Sequence, residues 1–207
     1  MAGGDLAESP VALADIVLVG AVPRGKALLR SGARAGDGIY VTGALGGSAA
    51  GLGRLTERAS ALKPGGRLRI PTSWKTLLGA HLYPQPRLRQ GEWLRKHGAA
   101  SAAIDLSDGL STDLAHICEE SDVSAELDSG AIPLGHGATL EQALHGGEDY
   151  ELLFTVAPGG RVPKRIAGVA ITQIGRVIRR RTGQSMVTLN RDTGSHPLEP
   201  QGWQHFS

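Results

Sequence analysis

The sequence predicts an α/β or α+β domain, and two observations carry that expectation. Short apolar, β-branched runs alternate with segments of helical spacing from one end of the 207 residues to the other. The apolar stock is 41% of the chain but aromatics are only 4%, so a core must be assembled from Ala, Val, Ile and Leu. Thirty glycines favour turns and close backbone approaches. The length suits one large domain or one domain with an appendage.

Taken in order, residues 1–9 read as a glycine-rich loop, and Ala14 to Val22 as a buried strand, being β-branched and apolar throughout. Pro23-Arg24-Gly25 breaks it. Lys26 to Ser31 reads as a helical turn closed by Gly32. Ala35 to Gly38 is a turn, Ile39 to Thr42 a short strand, and Gly43 to Ser48 a glycine loop leading into a helix that runs to about Arg58. Residues 60–75 mix Pro, Gly and basic residues and read as an irregular surface insertion. Arg87 to His97 has helical character and Ala102 to Leu106 is a strand. The clearest helix runs from about Asp108 to Ser121, because Leu110, Leu114, Ile117 and Cys118 fall on one stripe; Ser107 is its N-cap candidate. Val123 to Leu127 is a strand, and Leu140 to Leu144 a short helix stopped by Gly146-Gly147. Tyr150 to Val156 is a strand and Pro158 to Gly168 a connector. Ala170 to Ile178 and Met186 to Leu189 are strands joined by a basic hairpin turn at Arg179-Arg180-Arg181.

The totals exclude several classes. One cysteine, Cys118, rules out an internal disulfide and any multi-cysteine zinc site. It lies on the buried stripe and reads as a core thiol, which fits a reducing compartment. There is no apolar run of about 18 residues, hence no expected membrane span. There is no basic n-region with an apolar stretch behind it, so a soluble, cytoplasmic protein is expected. The formal charge of +2 argues neither for nor against a nucleic-acid surface, and no nucleic-acid partner is expected.

Chemistry concentrates in two acidic, glycine-bearing segments, Ile104-Asp105-Leu106-Ser107-Asp108-Gly109-Leu110 and His145-Gly146-Gly147-Glu148-Asp149-Tyr150-Glu151. In the first, Asp105 and Asp108 flank Ser107 where a strand gives way to a helix. That position suits a divalent cation and a phosphate set against free helix N–H groups. Ser107 and Asp108 acting only as helix caps explains the same residues. In the second, three carboxylates within four residues repel one another unless cations or donors neutralise them. A solvated turn is the plainer alternative. Gly3-Gly4-Asp5 is a weaker motif of similar kind, Arg30 offers a planar fork suited to phosphate, and Trp203 offers an aromatic face near the end of the chain. His116 reads as structural. Gly43 to Ser48 lacks both the P-loop lysine and the spacing of a dinucleotide fingerprint.

Together these segments resemble the thiamine-monophosphate kinase family, within the larger group of aminoimidazole-ribonucleotide-synthetase-like ATP-binding proteins. The residues that carry the resemblance are Gly3 to Asp5, Leu28 to Asp37, Ile39 to Gly43, Ile104 to Leu110, Leu144 to Leu152 and Gly202 to Phe206, in matching order along nearly the whole chain. The resemblance implies a mixed sheet with flanking helices. It implies Mg²⁺-assisted transfer of the γ-phosphoryl of ATP to thiamine phosphate, with no protein nucleophile. Carried over position by position, Asp5, Asp105 and Asp108 would be metal ligands. Gly4, Asp5, Arg30 and Ser107 would contact ATP, and Glu148 and Trp203 the thiamine moiety.

The departures from the family pattern are specific. Members carry roughly a hundred further residues before the Gly-Gly-Asp segment, a domain of ordinary size. That domain bears more metal-binding aspartates, a Thr-Thr-Asp segment and a substrate-contacting histidine. Leu6 also follows Asp5 where threonine is usual. The expectation is therefore a remnant of the N-terminal ATP-binding and dimerisation domain over residues 1–33 and a complete C-terminal domain over 34–207. The chain should be weak or inactive alone, working as a homodimer or with a missing N-terminal half. A different-acceptor or a non-catalytic member of the same ATP-binding family is the alternative.

Overall fold

The computed structural model describes residues 10–11, 17–63 and 65–202. Its strands are Gly38–Thr42 (β1), Ala102–Asp105 (β2), Val123–Asp128 (β3), Leu152–Val156 (β4), Arg165–Ile166 (β5), Val169–Arg179 (β6), Val187–Arg191 (β7) and Gly194–Pro197 (β8). Its helices are Gly47–Ser60 (α1), Lys75–Leu82 (α2), Leu88–His97 (α3), Leu110–Ser121 (α4) and Leu140–His145 (α5). The strands form one mixed sheet in the order β2-β4-β1-β6-β3-β7-β8, with β5 paired to β6. Only β3 and β7 run parallel; every other neighbouring pair is antiparallel.

Side chains alternate across this sheet, as the pleat requires. Ile39, Val41, Ala102, Ile104 and Leu153 point to one face, where they pack with Leu110, Leu114, Ile117 and Cys118 of α4 and with Ala143 and Leu144 of α5. Tyr40, Ala103, Phe154 and Val156 point to the other face, where Leu94 and Trp93 of α3 cover them. The α4 stripe read from the sequence is wholly buried. Each such leucine or isoleucine contributes roughly 1.5–3 kcal/mol by leaving water. The sheet is thus covered by helices on both faces where β2, β4 and β1 lie, and the loops between these elements build the site.

Three expectations fail on pairing, which sequence periodicity does not encode. The described part of the predicted strand at 14–22, residues 17–22, forms no strand, and Val17, Leu18 and Val19 are exposed. An apolar run needs a neighbouring strand to become one. Lys26 to Ser31 forms no helical turn; instead the Leu29 carbonyl accepts from the Ala103 amide at 2.8 Å, so the chain runs along β2. Arg179-Arg180-Arg181 is not a hairpin turn, because β3 lies between β6 and β7. Arg181 instead joins Arg176 on the Glu126 carboxylate, at 3.0 and 2.7 Å. Residues 60–75 are largely irregular, but α2 follows them where no helix was foreseen.

Candidate functional site

The β2–α4 loop and the α5–β4 loop, which hold the two acidic segments, are bound to each other by backbone hydrogen bonds. The Glu148 amide donates to the Ser107 carbonyl at 2.8 Å, Tyr150 to Leu106 at 2.9 Å, and Leu106 to Glu151 at 2.8 Å. The α5–β4 loop is unusual: both Glu148 and Tyr150 adopt left-handed backbone, with φ of 63° and 51°. Non-glycine residues avoid that region, so neighbouring contacts must hold them there.

One such contact comes from Asp149. Its carboxylate accepts from the Gly46 and Ser48 amides, at 2.6 and 3.2 Å, and so caps the start of α1. Burial pushes its pKa up to about 6 against the lowering effect of these amides. Glu151 turns the opposite way, into a bidentate pair with Arg87. This pair raises the Arg87 pKa, chiefly through the hydrogen bond. Two of the three neighbouring acids are thus neutralised by donors, which leaves Glu148 facing the solvent.

At the other loop the cap is not Ser107. Gly109 occupies the N-cap position of α4, with φ of 109°, a conformation other residues rarely adopt. The Asp113 carboxylate reaches back to accept from the Asp108 and Gly109 amides, at 3.0 and 3.1 Å. Those two N–H groups are therefore not open to a phosphate as the sequence reading supposed. Burial raises the Asp113 pKa to about 6, and the charges of Asp108 and Asp105 add to the rise.

Between the two loops and α1 lies an open cleft of about 910 Å³. Ser107, Asp108, Gly146, Gly147, Glu148 and Tyr150 line it from the loops, Ser48, Ala49 and Leu52 from α1, His116 from α4, and Arg30 from the leading segment. Arg30 is fixed through its backbone: the Ser121 hydroxyl donates to the Arg30 carbonyl at 3.2 Å and accepts from the Gly32 and Ala33 amides. Asp105 is exposed at the end of β2 and does not line the cleft. Gly202 docks against the start of α4, its amide donating to Thr112 Oγ1 at 3.0 Å.

The structure thus brings Arg30, Ser107, Asp108 and Glu148 together from three distant stretches of chain. Gly4, Asp5 and Trp203 lie outside the described residues. Among the described residues no group of three or more His, Cys, Asp or Glu is arranged to hold a metal ion. His116, read as structural, is half-buried on the cleft wall, and Ser48 and Tyr150 line the cleft unforeseen. The alternating hydroxyl, acid and aromatic residues beside the glycines were the available signal for the last two. No helix among the described residues is long and apolar enough to cross a membrane.

The chain as a whole has known relatives. The chain is 40% identical to the thiamine-monophosphate kinase of Salmonella typhimurium, over 99% of this chain and 63% of that protein. The solved structure of AaThiL complexed with AMPPCP and TMP superposes with a TM-score of 0.69 at 33% identity, covering 86% of this chain and 54% of that one. The thiamine-monophosphate kinase from Stenotrophomonas maltophilia K279a gives a TM-score of 0.66 at 34% identity, covering 82% and 54%. The chain therefore spans less than two thirds of the length of the relatives it matches. The model for the C-terminal domain of AIR synthase related proteins matches residues 34–188, the span that holds β1 to β6, the start of β7 and both acidic loops, and the chain belongs to that family.

Proposed function

We propose that the chain serves a thiamine-monophosphate kinase, transferring the γ-phosphoryl of ATP directly to thiamine phosphate to give thiamine diphosphate and ADP. The observation that carries this reading is the convergence of Arg30, Ser107, Asp108 and Glu148 on one cleft. Relatives named for that activity, and one bound to AMPPCP and TMP, support it.

Within this reading Arg30 and Ser107, with Gly4 and Asp5, meet ATP. Glu148 and Trp203 meet the thiamine moiety, a carboxylate and an aromatic face for a cationic thiazolium. The donor set at the cleft suits Mg²⁺, which takes one or two carboxylates and completes its shell with phosphate oxygens and water. Asp108, which lines the cleft, would hold it with Asp5 and with Asp105, which stands outside the cleft at the end of β2; when bound it supplies neutralisation of phosphate charge. The protein's own work is positioning. Arg30 orients phosphate by its planar fork, and the hydrogen-bonded pair of loops keeps Ser107 and Glu148 at a fixed separation.

Residues 1–33 are read as part of the nucleotide-binding and dimerisation domain, and 34–207 as the C-terminal domain. The exposed Val17, Leu18 and Val19 form an apolar patch that favours association with a second copy. The buried thiol of Cys118 fits a cytoplasmic setting.

The test is turnover with Mg²⁺, ATP and thiamine phosphate, with thiamine diphosphate read directly, on wild type and Glu148→Ala. Product lost in the variant while ATP binding persists supports the reading. Phosphorylation of other acceptors but not thiamine phosphate would replace it with a different-acceptor kinase.

A further inference from the structure

His81, near the end of α2, belongs to none of the motifs above, yet it touches the site from outside. Its Nδ1 lies 2.9 Å from Ser48 Oγ and 3.4 Å from Glu148 Oε2. The imidazole is mostly buried, with 17% of the side chain exposed, whereas the Glu148 side chain is 54% exposed. The hydrogen bond of Nδ1 is the one to Ser48, and the approach to Glu148 is an ion-pair contact. Because a carboxylate only accepts, that contact is attractive with the hydrogen on Nδ1. Glu148 itself sits on left-handed backbone at the cleft rim. Without a partner, its exposed side chain would spread over several rotamers.

We propose that His81 is a positioning residue for Glu148. The imidazole, held by Ser48 at the start of α1, fixes one carboxylate oxygen and leaves the other directed to the ligand. This assigns α2 a role: the helix carries the imidazole to the rim of a site it does not otherwise line. The ligand half of the proposal rests on the kinase reading, in which Glu148 meets the thiamine moiety; the His81–Glu148 contact does not.

The test uses the 207-residue chain with His81→Leu, which removes the donor, and His81→Asn, which places an amide N–H near the Nδ1 position. Calorimetry gives affinities for thiamine phosphate and for Mg²⁺-ATP separately. His81→Leu is expected to weaken thiamine phosphate by roughly three- to tenfold and to leave ATP within about twofold, and His81→Asn to recover most of the loss. Equal loss for both ligands, no loss, or an asparagine variant no better than leucine overturns the proposal. In parallel, ¹⁵N-histidine NMR reads the His81 Nδ1 signal, identified by its absence in the variants. Nδ1 is expected to be the ring nitrogen that bears the hydrogen and its signal to shift on Glu148→Gln, and an unresponsive signal overturns the contact. Failure of wild type to bind thiamine phosphate would count against the kinase reading instead, and the NMR result then decides the His81–Glu148 contact alone.

Discussion

Arg87 holds Glu151 through two parallel hydrogen bonds, Nε to Oε2 and Nη2 to Oε1, each 2.5 Å long. Thr42 Oγ1 donates to Oε2 as well, so the start of β4 is bound to the end of β1 and to the residue preceding α3. The carboxylate is nearly buried and Arg87 largely so. Removing the cation strands a buried charge, so Arg87→Ala should cost about 3–5 kcal/mol in urea unfolding. The double variant Arg87→Met, Glu151→Leu should recover much of that loss, because an apolar pair avoids the desolvation penalty. A loss below about 1 kcal/mol for Arg87→Ala would show the pair to be dispensable.

Asp149 should make the fold less stable as pH rises. Its folded pKa is about 6, above its ordinary value of 3.8, because burial disfavours the anion. Between those values the folded chain binds more protons than the unfolded one. The contribution is fully present below about pH 4 and is lost as pH rises through about 6. Asp149→Asn keeps an acceptor for the Gly46 amide but cannot ionise. Relative to this variant, wild type should lose on the order of 1 kcal/mol between pH 4 and pH 7. Thermal melts whose difference stays constant over that interval would contradict the assignment.

Tyr150 stores backbone strain at the rim of the cleft, with φ of 51°. Tyr150→Ala and Tyr150→Gly both remove the ring, so their difference isolates the backbone term. The glycine variant should be the more stable by about 1 kcal/mol, the cost of left-handed backbone for a residue with a Cβ. Equal denaturation midpoints would mean the loop relaxes and holds no strain.

What the sequence encodes locally was legible, and what depends on pairing was not. The stripe Leu110, Leu114, Ile117 and Cys118 needs only helical spacing, and it is buried as read. The separation of β6 from β7 by β3 depends on a parallel pairing of Ala125 with Val187, which no local signal announces. The cap of α4 was misplaced because Asp113, inside the helix, outcompetes Ser107 for the free amides. α2 carries no local signal, because it follows a Pro- and Gly-rich stretch and its N-cap, Trp74, supplies no side-chain cap. With α2 unseen, His81 was only a lone histidine. Ser107, Asp108 and Glu148 stand out by their acidic, glycine-bearing segments and Arg30 by its planar fork, and the resemblance adds their roles, but residues so far apart in sequence reveal their shared cleft only through the fold.

Gly202 offers a way to disturb the cleft mouth without touching the core. A Cβ there would lie 1.8 Å from the Asp108 carbonyl oxygen and 2.6 Å from Thr112 Oγ1, so only glycine allows the approach. Its amide bond to Thr112, with that of Gln201 to Ser111 Oγ at 3.4 Å, docks the segment on the first turn of α4. Gly202→Ala must lift it away, at a local cost of about 1–3 kcal/mol. The next residue is Trp203, which the proposed function gives to the thiamine moiety; on that reading thiamine phosphate binding should weaken by about tenfold or more. Global stability should change little, because a short segment can detach without unfolding the sheet. Calorimetry and a thermal melt on the same variant separate the two effects. Unchanged affinity would remove this segment from the site, and a collapsed melt would make its docking part of the fold.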